Sequence, residues 1–72
     1  MAEIRVKSEI AGAVWKIEVE IGDRVEADDA LIILESMKME IPLLAPRGGV
    51  VREILVAEGE AVAEGDIAVI LD

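Results

Sequence analysis

The chain of 72 residues has no cysteine and no histidine. The first absence excludes a disulfide, and the two together exclude a Cys/His metal site. The sole aromatic is Trp15, and the only hydroxyl side chains are Ser8 and Ser36. A serine nucleophile needs a base beside it, and no triad can be drawn from these residues. Carboxylates are numerous but scattered through turns and strand ends. Paired acids for proton transfer need a pocket, for which so short a chain has little room. No apolar run approaches the length of a membrane span. The first nine residues lack the apolar core of a signal peptide, so a cytoplasmic protein is expected. Cations are scarce, with 7 Lys and Arg against 16 Asp and Glu and a net charge of −9. That balance argues against nucleic acid, which needs cations to neutralise phosphate, and against an anionic membrane surface. A charge of this size keeps a very apolar small protein soluble.

What is present is β-branched. The apolar residues are mostly Ile, Val, Leu and Ala, a bias that favours strands. A chain this short is marginal with one small core, and a closed β structure would remove the sheet edges that small proteins must protect. The chain also repeats itself. An ungapped offset of 37 positions lays Gly12, Val14, Ile17, Val19, Gly22 and Val25 on Gly49, Val51, Ile54, Val56, Gly59 and Val62. Asp29, Ile33 and Leu34 continue onto Asp66, Ile70 and Leu71. Residues 3–35 and 40–72 are therefore two copies of one unit, and 36–39 is the connector. Two copies of four short strands, each with a bare apolar face, predict a single all-β domain over 1–72. A pseudo-two-fold axis relates them and sets Lys38 and the termini at opposite ends.

Strand-like alternation runs through Glu3–Lys7 and Ala13–Ile21. Gly12 is expected to take a backbone angle that other residues resist. Val14 and Val51 are out of phase with the apolar positions that follow them, which predicts a β-bulge near Trp15-Lys16 and another near Arg52-Glu53. Gly22-Asp23, Ala27-Asp28-Asp29, Gly59-Glu60 and Glu64-Gly65-Asp66 read as turns. Ala30–Leu34 could stripe a helix, but its twin Ile67–Leu71 is short and β-branched, so both read as strands. Glu40–Leu44 is a strand whose Pro42 implies a sheet edge or a position with no ladder partner for its nitrogen. Gly48-Gly49 lacks the helix and lysine of a phosphate loop. Trp15 reads as a packing residue. Ile17, Val19, Val25, Ile33, Ile54, Val56, Val62 and Ile70 are expected among the most buried positions.

The connector is the one place where chemistry concentrates. With Leu31–Leu34 and Glu40–Leu44 as adjacent antiparallel strands, Met37 and Lys38 are the central residues of a tight hairpin. Two-residue hairpin loops want positive φ and usually recruit Asn or Gly. Left-handed backbone at other residues costs on the order of 1 kcal/mol or more each. Methionines, which usually fill cores, flank the exposed tip on both sides. Strain accepted at the symmetric centre of a marginal protein points to the side chains themselves, and so to Lys38 as an amine presented for covalent attachment. Exposed lysines are mostly protonated near neutral pH, so a separate enzyme must deprotonate and acylate it.

The stretch Glu35-Ser36-Met37-Lys38-Met39-Glu40 resembles the attachment motif of biotinyl domains, in which the lysine between two methionines receives biotin. Gly22-Asp23-Arg24-Val25, the loop Ala45-Pro46-Arg47-Gly48-Gly49 and the two-copy organisation are similar to that family too. Trp15-Lys16 and Glu35–Pro42 look especially like the single-domain biotin/lipoyl attachment proteins. The resemblance implies a flattened β-barrel, a barrel-sandwich hybrid of two four-stranded antiparallel sheets. It implies a non-catalytic biotin carboxyl carrier of a biotin-dependent carboxylase, monomeric in isolation. Biotin protein ligase would join biotin to Lys38 through biotinyl-adenylate. Biotin carboxylase and a carboxyltransferase would be the further partners, with Met37 and Met39 as the flanking recognition residues. Some acetyl-CoA carboxylase carriers have a thumb inserted in the first half. Its absence here favours a stand-alone carrier or the carrier of another carboxylase. Two alternatives stay open. One is a lipoyl carrier of an oxidative decarboxylation system, whose motif usually has Asp before and Ala after the lysine. The other is an unmodified structural barrel-sandwich module.

Overall fold

The computed structural model describes residues 3–72. It contains eight strands and, among the described residues, no helix: β1 (Ile4–Lys7), β2 (Gly12–Ile17), β3 (Arg24–Val25), β4 (Ala30–Ser36), β5 (Met39–Leu44), β6 (Gly49–Ile54), β7 (Ala61–Val62) and β8 (Ile67–Leu71). They form two four-stranded antiparallel sheets, ordered β1-β8-β6-β3 and β5-β4-β2-β7. The two orders interchange under the offset of 37. The sheets stack as a flattened barrel-sandwich without closing into a continuous barrel. A groove of about 580 Å³ runs between the edge strands β1 and β5. Pro42 lies in β5, on that edge, where its missing N–H costs no ladder bond.

The phase slips are bulges. Along β2 and β4, Val14 opposes Leu34 and Lys16 opposes Ile33, so Trp15 is the extra residue. Along β6 and β8, Val51 opposes Leu71 and Glu53 opposes Ile70, so Arg52 is extra. A second pair of bulges was not legible in the sequence. Leu31 is skipped between Ala30 and Ile32 in the pairing of β4 with β5, and Ala68 between Ile67 and Val69 in that of β8 with β1.

These bulges decide the core. Skipping Leu31 turns Leu31 and Ile32 inward together, both fully buried, and throws Ile33 onto the outer side. The deepest side chains are Leu31, Ile32, Leu34, Leu71, Val14, Val51 and Val69. Of the positions expected to be most buried, Val25, Val62 and Ile70 are buried, whereas Ile17, Val19, Ile33, Ile54 and Val56 are only half-buried. Ile17, Val19, Ile54 and Val56 pack on the margin of the core, because β2 and β6 end sooner than alternation suggests. The expected strand Ala13–Ile21 stops at Ile17, and Ile21 is exposed. Beyond it the chain changes sheets. Gly22 N–H donates to the Val51 carbonyl, and Val51 N–H to that of Asp23. This brings β3 to β6 instead of extending β2.

Four turns share one construction. In Glu20–Asp23, Asp23 N–H donates to the Glu20 carbonyl at 3.0 Å, and Glu20 N–H donates to the Asp23 carboxylate at 2.9 Å. Turns 26–29, 57–60 and 63–66 repeat the pair of bonds through Asp29, Glu60 and Asp66. The third residue of each has positive φ, at Gly22, Asp28, Gly59 and Gly65. Three glycines take that angle without a Cβ penalty, and Asp28 takes it as a non-glycine.

Gly12 does not have the left-handed angle expected of it. Its glycine serves close approach: a Cβ there would lie 2.7 Å from the Glu35 carbonyl oxygen. Trp15 also departs from expectation. It is 50% exposed, because the bulge turns it to the outer face instead of the core.

Candidate functional site

Strands β4 and β5 pair from Ala30↔Leu44 to Ser36↔Met39, which leaves Met37 and Lys38 as a two-residue loop. Their φ values are 52° and 65°. Positive φ at both central residues is the mark of a type I′ turn, whose twist matches the strands it joins. The strain expected from the sequence is present, in two consecutive non-glycine residues. Six register pairs hold the hairpin below the turn, with Leu31, Ile32, Leu34 and Leu43 anchoring it in the core.

Lys38 is exposed, and among the described residues it makes no ion pair. Met37 is 91% exposed and Met39 62%. Neither methionine folds back onto the barrel, so two apolar side chains and one amine form the free end of the hairpin. Below them Glu35 opposes Glu40, both exposed. The base of the hairpin is fixed by β2, since Gly12 packs against Glu35 and Ser36.

The two serines offer no nucleophile. Ser8 is buried, and its hydroxyl donates to the Ile10 carbonyl oxygen at 2.6 Å. Ser36 is the closing residue of the hairpin, half-buried beside Gly12. Among the described residues no group of three His, Cys, Asp or Glu side chains could hold a metal ion. Among the described residues no helix is long and apolar enough to cross a membrane. The arrangement can present one exposed amine to a second protein. Sequence reasoning placed Lys38, Met37 and Met39 at this tip; it did not separate Trp15 from the core. The signal available for that was the bulge itself, which sets an extra residue on one face.

The family model described as "Biotin-requiring enzyme" matches residues 3–71. The chain is 48% identical over 62 residues to the biotin/lipoyl attachment protein of Bacillus subtilis (strain 168), covering 86% of this chain and 85% of that one. It is 39% identical over 66 residues to the biotinylated protein TB7.3 homolog of Mycobacterium leprae (strain TN), covering 92% and 93%. Among solved structures it is similar to the crystal structure of the Kluyveromyces lactis urea carboxylase. The TM-score there is 0.95 at 36% identity, over all of this chain and 6% of that one.

Proposed function

The chain belongs to the biotin/lipoyl attachment family, and we propose that it is a biotin carboxyl carrier whose attachment residue is Lys38. The observation that carries this reading is the left-handed turn at Met37 and Lys38, which holds an unpaired amine between two exposed methionines. The site fits the group. Lys38 would hold biotin through an amide on Nζ, and the surrounding tip has no side chain that blocks the amine. Bound there, the biotin ring supplies the nitrogen that accepts and releases a carboxyl group.

The chain's own residues do the rest. The turn carries the exposed Lys38 beyond the paired strands, so that different enzymes can reach its Nζ. In attachment, Lys38 Nζ loses a proton and bonds to the acyl carbon of a biotinyl-adenylate delivered by biotin protein ligase. The bond from that carbon to the phosphate oxygen breaks, and AMP leaves. Met37 and Met39 offer flexible apolar contacts that fit shallow pockets on a partner. The chain itself catalyses nothing in this reading. It serves biotin carboxylase and a carboxyltransferase as their shared carrier.

The test is the intact mass of the purified chain before and after incubation with biotin protein ligase, biotin and ATP. One added biotinyl group, mapped to Lys38, is the expected result. Addition at Lys7 or Lys16 that survives Lys38→Ala overturns the assignment. A second reading, lipoate on the same lysine, is favoured by the relative whose name includes both groups. Incubation with a lipoate ligase measures it directly.

A further inference from the structure

The offset of 37 provides an internal control for the outer faces of the two sheets. On the sheet β1-β8-β6-β3, two arginines neutralise Glu3 and Asp72. Arg5 Nε lies 2.8 Å from Glu3 Oε2, and Arg52 Nη1 lies 2.9 Å from Glu3 Oε1 and 3.7 Å from Asp72 Oδ1. The offset carries Glu3 onto Glu40, Asp72 onto Glu35, Arg5 onto Pro42 and Arg52 onto Trp15. On the hairpin sheet, then, both carboxylates are kept and both cations are gone. Glu35 and Glu40 are cross-strand partners and exposed, and among the described residues neither pairs with a cation. Like charges directly opposite on antiparallel strands are destabilising. In the place of one arginine stands the only aromatic side chain, half exposed.

We propose that this outer face, with Trp15, Pro42, Glu35 and Glu40, is the docking surface for the enzyme that acylates Lys38. The partner supplies the two missing cations, as arginine or lysine side chains against Glu35 and Glu40, and an apolar hollow for Trp15. The inference rests on the carrier reading above. The placement supports it, because Glu35 and Glu40 lie one register pair below the turn, and an enzyme reaching Lys38 meets them on the way. The chemistry supports it as well. An enzyme that holds a nucleotide-activated acyl group must stabilise an anionic phosphate, so the mouth of its site is electropositive, and complementary charge steers the two together. Tryptophan is among the side chains enriched at interface anchors. The fold has no need of one there, since Arg52 occupies the equivalent bulge.

The experiment uses the apo chain and biotin protein ligase. Trp15→Arg, which imports the residue of the opposite face, is expected to raise KM for the apo chain about tenfold or more, the cost of an anchor residue. Its kcat is expected to stay unchanged, and its thermal midpoint is expected not to fall, since the imported cation faces Glu35 and Glu40. Arg52→Trp, on the other face, is expected to leave KM within about twofold, as a surface position away from the contact does. A measurement on the unchanged sequence stands beside these. When unlabelled ligase is added to the 15N-labelled chain, the single indole N–H resonance shifts or broadens, while the amides of Arg5 and Arg52 hold still. If the unchanged chain is labelled at Lys38 but Trp15→Arg keeps its KM and the indole resonance does not move, this docking face is wrong and the carrier reading survives. If the unchanged chain is never labelled, both fall.

Discussion

Gly12 and the carbonyl oxygen of Glu35 approach so closely that a Cβ on Gly12 would lie 2.7 Å from that oxygen. The matching approach, Gly49 to the Asp72 carbonyl oxygen, would be 2.6 Å. Backbone blocks both positions, so no flexible side chain can move aside. Gly12→Ala is therefore expected to destabilise the fold by about 1–3 kcal/mol, the usual cost of overpacking. Urea unfolding at constant m reads this directly. An unchanged midpoint would show that β2 and β4 part freely at the base of the hairpin.

Lys38 is exposed and, among the described residues, makes no ion pair, so Lys38→Ala is expected to change stability by no more than about 0.5 kcal/mol, as exposed substitutions usually do. Attachment is expected to vanish. The paired readouts are a thermal melt and intact mass after ligase treatment, and a large fall in the melting midpoint would contradict the picture of an isolated tip.

Asp28 and Gly65 hold the same place in equivalent turns, with φ of 73° and 93°. Glycine takes that angle freely and aspartate does not. Asp28→Gly is expected to stabilise the chain by roughly 0.5–1 kcal/mol, the scale of left-handed strain less the extra chain entropy of glycine. Gly65→Asp is expected to cost a similar amount. Denaturant midpoints of the two variants should move in opposite directions.

The choice between biotin and lipoate is expected to follow the flanking residues. Met37 and Met39 are exposed and touch no core, so changing them alters what a ligase meets without unpacking the fold. Discrimination by a few such contacts is worth about 1–3 kcal/mol. The unchanged chain is expected to take biotin faster than lipoate. Met37→Asp with Met39→Ala is expected to shift the ratio of initial rates toward lipoate. Faster lipoate attachment by the unchanged chain would make the lipoyl carrier the better reading.

The sequence alone carried the parts of this protein that are local or periodic. The offset of 37 exposed two matched halves, and alternation exposed the strands. The shared phase slip located the bulges at Trp15 and Arg52. The two-residue connector required positive φ at Met37 and Lys38, because a hairpin of that length has few backbones open to it. Each of these follows from short-range sterics, which neighbouring residues impose on one another wherever the chain lies.

Tertiary structure decided what depends on distant partners. Ile33 is half-buried because the β4–β5 register skips Leu31, and register is a property of two strands at once. Ile21 is exposed because the chain leaves β2 to bond with Val51, nearly thirty positions away in sequence. Gly12 is glycine for the sake of Glu35, not for its own φ. Trp15 and Arg52 share one slot in the repeat, yet only Arg52 finds Glu3 and Asp72 within reach. Which residue types stand on each face was written in the sequence, but that Arg52 meets Glu3 and Asp72 was set by packing, since an ion pair forms through space between groups the chain order leaves far apart.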